Sequence, residues 1–225
     1  MVNKSKQNEI LLKVNIEKRF DTFSLNCSVD IPNGVTSIIG PSGSGKTTLL
    51  NCIAGVSQPD TGYISLNSNI LFSSVNKTNT HLNKRGIGYV FQTHTLFPHM
   101  TVLQNIRYGY DMTPKEKKRI NIDELIEIFQ LSKLIKRYPK NLSGGEKQRV
   151  DIARSIAKSP DLLLMDEPIV SLDIKLKKII LDYLKLTWTQ LQIPVLYVTH
   201  FTVSYTHLRA HETDSYLVCR LLLEK

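Results

Sequence analysis

Apolar and polar positions alternate from Ile10 to Lys18 and again from Phe23 to Ile31, the period-two pattern of strands with one face buried. Arg19-Phe20-Asp21-Thr22 reads as the connection between them. The pattern changes after the turn Pro32-Asn33-Gly34, because Val35 to Ile39 is a run rich in β-branched residues and predicts a strand buried on both faces. Lys46 to Ala54 suits a helix, and Gly55 supplies a left-handed end cap. Gly62 to Gly86 is rich in Asn, Ser and Thr with short apolar pieces at Tyr63-Ile64 and Ile70-Leu71-Phe72. It predicts an antiparallel β excursion with a loose loop at Asn76 to Asn83. Ile87 to Phe91 is a further strand, followed at once by Gln92.

The second half reads differently. Thr93 to Met100 is a proline-interrupted loop in which Leu96, Phe97, Pro98 and Met100 are either a lid on the core or a docking surface for a partner. His94 and His99 have no carboxylate or cysteine at ligand spacing, so no metal is read there. A mainly helical segment is expected from about Thr101 to Ser159, with Ile122, Leu125, Ile126 and Phe129 on one helical face. Pro160-Asp161 stops it, and Leu162 to Met165 predicts a central parallel strand whose end carries Asp166 and Glu167. Ser171-Leu172-Asp173 precedes a helix expected over Lys175 to Leu191, and Val195 to Val198 is another buried strand with His200 just beyond it.

A chain of 225 residues with ordinary composition predicts one large α/β domain. The net charge of +9 raises the question of nucleic acid, but the basic residues are scattered and the dense run Lys115 to Arg119 reads as a solvated helix face. No nucleic-acid partner is expected. No apolar run is long enough to span a bilayer, and Met1 to Glu9 lacks a signal-peptide core, so a cytosolic location is expected. Cys27, Cys52 and Cys219 are odd in number and have no metal-like spacing.

Chemistry concentrates in the glycine run between the third strand and the first helix. Gly40-Pro41-Ser42-Gly43-Ser44-Gly45-Lys46-Thr47-Thr48 fits the phosphate-binding pattern G-x-x-x-x-G-K-[ST] in its required strand–loop–helix setting. The glycines let backbone N–H groups turn inward on a phosphate, Lys46 supplies a point charge and Thr47 a hydroxyl for magnesium. A nucleoside triphosphate is the expected ligand. Phe20 stands where an exposed aromatic stacks on an adenine or simply covers the core, with Phe23 as the competitor. Ser143 and Glu146 have capping-box spacing and open a helix whose N-terminal amides can receive an anion, although the box alone leaves Gly144-Gly145 unexplained. Asp166 can hold magnesium through water, and Glu167 can take a proton from an attacking water. Gln92 reads either as a surface residue or as one that reaches a metal or a water, and His200 shares the sheet edge with the two acids.

In this order and spacing, the phosphate loop, Gln92, Leu142-Ser143-Gly144-Gly145-Glu146, Leu162 to Glu167, Ser171 to Asp173 and His200 resemble the nucleotide-binding subunits of ABC transporters. The runs Arg85 to Gln92, Leu96 to His99, Asn105 to Gly109 and Ile193 to His200 are most similar to the ATPases of bacterial molybdate importers, and tungstate and sulfate importers share much of them. The resemblance implies a P-loop NTPase core of ABC type with an antiparallel β subdomain and a helical signature subdomain at roughly 93–159. It also implies ATP and Mg2+ as cofactors and a head-to-tail homodimer, in which Ser143, Gly144 and Gly145 of one copy close over the nucleotide of the other. Thr47, Gln92 and Asp166 would hold magnesium, Glu167 would polarise the water, His200 would contact the γ phosphate and Asp173 would couple the two sites. The Leu96, Phe97, Pro98 and Met100 loop would receive a membrane permease at the cytoplasmic face of the membrane, with a periplasmic oxyanion-binding protein acting indirectly. A soluble ABC ATPase acting on ribosomes or DNA is the alternative, and it generally has two ATPase halves or a long coiled-coil insertion that this sequence lacks.

The ending departs from the resemblance. Val203 to Thr213 and Ser215 to Lys225 resemble a conceptual translation of sequencing-adapter DNA, so the native domain is expected to occupy 1–202 and a non-native tail 203–225. The ABC domain is accordingly expected to be C-terminally truncated, without its last strand and helices.

Overall fold

The computed structural model describes residues 10–21, 23–168, 182, 185–199 and 216–220. In chain order the strands are β1 (Ile10–Arg19), β2 (Ser24–Pro32), β3 (Val35–Ile39), β4 (Thr61–Leu66), β5 (Asn69–Ser73), β6 (Thr78–Asn79), β7 (Ile87–Val90), β8 (Leu162–Asp166), β9 (Val195–Thr199) and β10 (Tyr216–Arg220). The helices are α1 (Lys46–Ala54), α2 (Val102–Asp111), α3 (Ile122–Ile128) and α4 (Gly144–Ala157). Residues 185–189 are also helical, whereas most of the helix expected over 175–191 lies outside the described residues. The chain divides into two compact units, residues 1–87 with 196–225 and residues 88–195.

The first unit contains an antiparallel sheet in the order β2-β1-β4-β5-β6. Its alternation is physical: Leu12, Val14 and Ile16 are buried, while Lys13 and Asn15 between them face solvent. The expected loose loop at 76–83 is partly ordered. β6 pairs with β5, placing Asn79 opposite Phe72, and Leu82–Lys84 forms a 3-10 turn. Arg85 organises this stretch, donating from Nε to the Thr80 carbonyl at 2.8 Å and from Nη2 to Asn79 Oδ1 at 2.8 Å.

In the same unit β3 is buried from Val35 to Ile38 and lies between β9 and β10. No strand is expected after β9, yet β10 runs parallel to β3 in the register Tyr216 to Val35 through Arg220 to Ile39. The run Tyr-Leu-Val-Cys at 216–219 has strong β propensity, which suits it to the side of a buried strand.

The second unit holds β7 and β8 as neighbours together with α2, α3 and α4. Every residue of β8 is buried. The helical segment is interrupted by 3-10 turns at Lys115–Lys117 and Pro139–Asn141, each begun by a proline that cannot continue an α-helical ladder. α2 and α3 both pack on α4. β7 approaches α4 so closely that a Cβ on Gly88 would lie 2.9 Å from the Ser155 carbonyl oxygen, which is why glycine stands there.

Candidate functional site

The phosphate loop joins β3 to α1 within the first unit. Gly45 caps the start of α1 in the left-handed region at φ 85°, and a Cβ there would meet the Phe23 ring at 2.9 Å. Pro41, Ser42 and Gly43 are exposed, so the loop presents its backbone to solvent. The Lys46 side chain folds back along the loop, where Nζ donates to the carbonyls of Gly40 at 2.9 Å and Pro41 at 2.7 Å and reaches Ser44 Oγ at 3.4 Å. Those bonds hold a nearly buried ammonium at the loop, while Thr47 faces outward from the first turn of α1. Positive charge, the backbone amides of the loop and the helix N-terminus together make an anion site of the kind a phosphate fills.

Phe20 and Phe23 stack with centroids 6.1 Å apart, and Lys18 Nζ lies 5.6 Å over the Phe20 ring. Phe23 is engaged by Gly45, whereas Phe20 is 48% exposed. That difference favours Phe20 as the ring open to a base.

The second unit carries the acids. Asp166 ends β8 with 4% exposure, and burial together with its carboxylate pushes the Tyr89 phenol well above its usual range. Glu167 follows at φ 47°, a left-handed conformation unusual for a non-glycine residue that turns its side chain out of the strand direction. Gln92 Nε2 donates to Glu167 Oε2 at 3.1 Å, so the glutamine after β7 and the acid after β8 meet. Asp166 and the Gln92 amide, both in the second unit, carry oxygens of the hard kind that magnesium takes. Among the described residues there is no group of three or more His, Cys, Asp or Glu that could hold a metal ion.

The signature run is a built helix start. Ser143 N donates to Glu146 Oε2 at 2.7 Å, and Glu146 N donates to Ser143 Oγ at 3.3 Å. The Ser143 amide holds the Glu146 carboxyl below the usual range for its type. Gly144 is exposed, and a Cβ added to it would meet nothing within 4 Å. Among the described residues nothing crowds that position, so the space over Gly144 is open to an approaching group. Asp173 and His200 lie outside the described residues.

The loop after Gln92 is more organised than its composition predicts. Asn105, fully buried in α2, accepts from Phe97 N at 2.8 Å and donates to the carbonyls of Phe97, Met100 and Thr101 at 3.2, 3.1 and 3.0 Å. Phe97 packs on Tyr108 with ring centroids 4.7 Å apart. A groove of about 510 Å³ runs along this face of α2, lined by Met100, Leu103, Arg107, Tyr108 and Met112 among others. Of the four loop residues expected to dock a partner, Met100 lines the groove, while Phe97 faces Tyr108 and the Arg154 guanidinium. Asn105 escapes sequence reading because its partners are backbone atoms, although a polar residue on the apolar side of an amphipathic helix is its trace.

The family model described as ABC transporter matches residues 25–170. The chain is 41% identical over 201 residues to a molybdenum import ATP-binding protein ModC of Photobacterium profundum, covering 89% of this chain and 55% of that protein. With the protein of the same name from Vibrio vulnificus it shares 46% identity over 180 residues, covering 80% and 48%. The chain thus spans about half the length of the curated relatives it matches. Among solved structures it resembles MJ1267, an ATP-binding cassette of an ABC transporter in its ADP conformation, with TM-score 0.71 and 31% identity over 85% of this chain and 81% of that one. It also resembles the dimeric post-hydrolysis state of the ATP-binding cassette MJ0796 bound to ADP and Pi, with TM-score 0.67 and 30% identity over 87% and 89%.

Proposed function

Because this chain belongs to the ABC transporter family, we propose that it is the ATP-binding and hydrolysing subunit of an importer for molybdate or a related oxyanion. The carrying observation is the Gln92–Glu167 hydrogen bond, which holds a carboxylate at the end of a buried strand, directly after a second acid. Similarity to the molybdenum import ATP-binding proteins supports the oxyanion, since no residue of a subunit that does not touch the cargo can report it.

In this reading Gly40 to Thr48 cradle the triphosphate, and Lys46 exchanges loop carbonyls for β and γ phosphate oxygens. Thr47, Gln92 and Asp166 would hold a magnesium ion, which would supply positive charge to the phosphates. Glu167 polarises the attacking water, His200 contacts the γ phosphate and Phe20 stacks on the base. Ser143, Gly144 and Gly145 of a second copy close over the nucleotide, which supplies the missing reason for the open Gly144. Asp173 couples the two sites.

Among the described residues no helix is long and apolar enough to cross a membrane. In this reading a permease would hold the subunit at the cytoplasmic face through the groove beside Met100 and Tyr108, whose apolar lining supports that role. The proposed boundary between the ABC-type domain and a non-native tail lies between residues 202 and 203. An uninterrupted genomic reading frame through codons 203–225 would overturn that boundary.

Co-expression with the permease encoded beside it, followed by co-purification and ATPase assays, tests the function. The expected result is a stable complex whose ATP turnover rises with molybdate and its periplasmic binding protein. Co-purification of RNA in place of a permease would instead favour a soluble ABC ATPase of ribosomes or DNA.

A further inference from the structure

Asp151 lies in the middle of α4 with its side chain 5% exposed, where a carboxylate is costly to bury unless its oxygens are satisfied. Both are. Oδ2 is 2.8 Å from His94 Nδ1, a partner 57 residues away in sequence, and Oδ1 accepts from Arg154 Nη2 at 3.2 Å. The Thr95 amide also bonds the carboxylate. Arg154, one turn further along α4, donates to the Thr95 carbonyl at 2.8 Å and to Thr95 Oγ1 at 2.5 Å, and its guanidinium lies 5.3 Å over the Phe97 ring.

These contacts all fall on one short segment. Its upstream end is Gln92, bonded to Glu167, and its downstream end is Phe97, bonded to Asn105 of α2. Residues 94–97 are therefore fastened to the helix that begins at the signature glycines, between the carboxylate and the groove. An ordinary loop brace would need one or two bonds to a helix surface; here a buried acid is kept in the helix interior to receive them.

We propose that His94, Asp151 and Arg154 form a latch that makes the loop after Gln92 and the signature helix α4 move as one body. They are positioning residues: force applied at the docking groove reaches Ser143, Gly144 and Gly145 through the latch. The inference rests on the permease-docking reading above for its functional consequence, but the latch itself is a property of the second unit alone.

The test uses the full transporter, reading ATP turnover with and without the loaded binding protein. His94→Ala, Asp151→Ala and the double variant should each lower the fold-stimulation by about fivefold or more, the double no further than either single, because one linkage is being cut. Basal turnover and KM for ATP should stay within about twofold of wild type. His94→Asn, whose amide nitrogen can stand near the imidazole Nδ1 position, should restore the stimulation. Full stimulation in His94→Ala, or an equal fall of basal and stimulated rates that His94→Asn fails to rescue, would overturn the latch.

A separate readout isolates failure of the docking premise. In the protein without permease, amides 94–97 should exchange hydrogen about tenfold faster in His94→Ala than in wild type, with the α4 amides unchanged. Unchanged exchange at 94–97 would overturn the latch whatever the permease does, whereas faster exchange in a subunit that no permease stimulates would support the latch and sink the docking premise.

Discussion

At the scale of single residues the proposed hydrolysis depends on Glu167. Its left-handed backbone and its bond to Gln92 fix where the carboxylate sits, so an amide of the same shape keeps the geometry and removes only the proton acceptor. Glu167→Gln should bind ATP with unchanged affinity and lose turnover by roughly 100-fold or more, the range a general base supplies. Nucleotide-binding titration and a phosphate-release assay check the two halves, and wild-type turnover would remove Glu167 from the mechanism. Cys52 makes a different residue-scale prediction. Burial in α1 pushes its thiol up to about 11, so the folded state keeps a proton that the unfolded chain gives up at about 8.5. Stability should be unaffected below that unfolded value and should fall as pH rises between the two, by up to roughly 3 kcal/mol. Cys52→Ala should flatten the difference between urea midpoints measured near pH 8 and pH 10.5, and an unchanged difference would show that the thiol does not titrate.

At the scale of elements, α1 is held at both ends. Gly45 opens it at the phosphate loop, and Arg85 closes it, donating from Nη1 to the carbonyls of Cys52 at 2.9 Å and Ile53 at 2.7 Å. A cation on the last carbonyls of a helix also opposes the negative end of its dipole. Gly55 belongs to the same device, since a Cβ there would lie 2.6 Å from the guanidinium Nε. Arg85→Met should cost about 3 kcal/mol through stranded carbonyls and a lost charged donor, read as a lower urea midpoint with unchanged slope.

Much at this scale is legible in sequence because it is local. Alternation marks β1 and β2, an unbroken apolar run marks β3 and β8, and Ser143 with Glu146 announces the start of α4. Arg85, Asp151 and Asn105 are not legible in that way. Each satisfies groups that are distant in sequence or belong to the backbone, and a polar residue in an apolar stretch does not say what it will meet. The ordered stretch at 78–84 is hidden for the same reason: its Asn and Thr residues read as loop until a buried arginine gathers their oxygens.

At the scale of the whole molecule, what one protomer lacks is informative. The phosphate loop is complete in the first unit, and the capped signature helix with its open Gly144 is complete in the second. In the proposed dimer they belong to opposite halves of a paired site, a relation that no local pattern could reveal. The groove along α2, proposed above as the permease-docking surface, is a second outward-facing feature. Met112, 74% exposed at its rim, should on substitution to Glu abolish permease co-purification by placing a charge against an apolar partner. A pull-down in which the Met112→Glu subunit still retains the permease would move the docking site elsewhere.

The central claim is that two copies are needed to close one catalytic pocket. Specific ATP turnover, measured per protomer across a dilution series with saturating ATP and magnesium, tests it most directly. Turnover should rise with protein concentration and fall away where light scattering reports only monomer. Turnover per protomer that stays constant down into the monomeric range would contradict it.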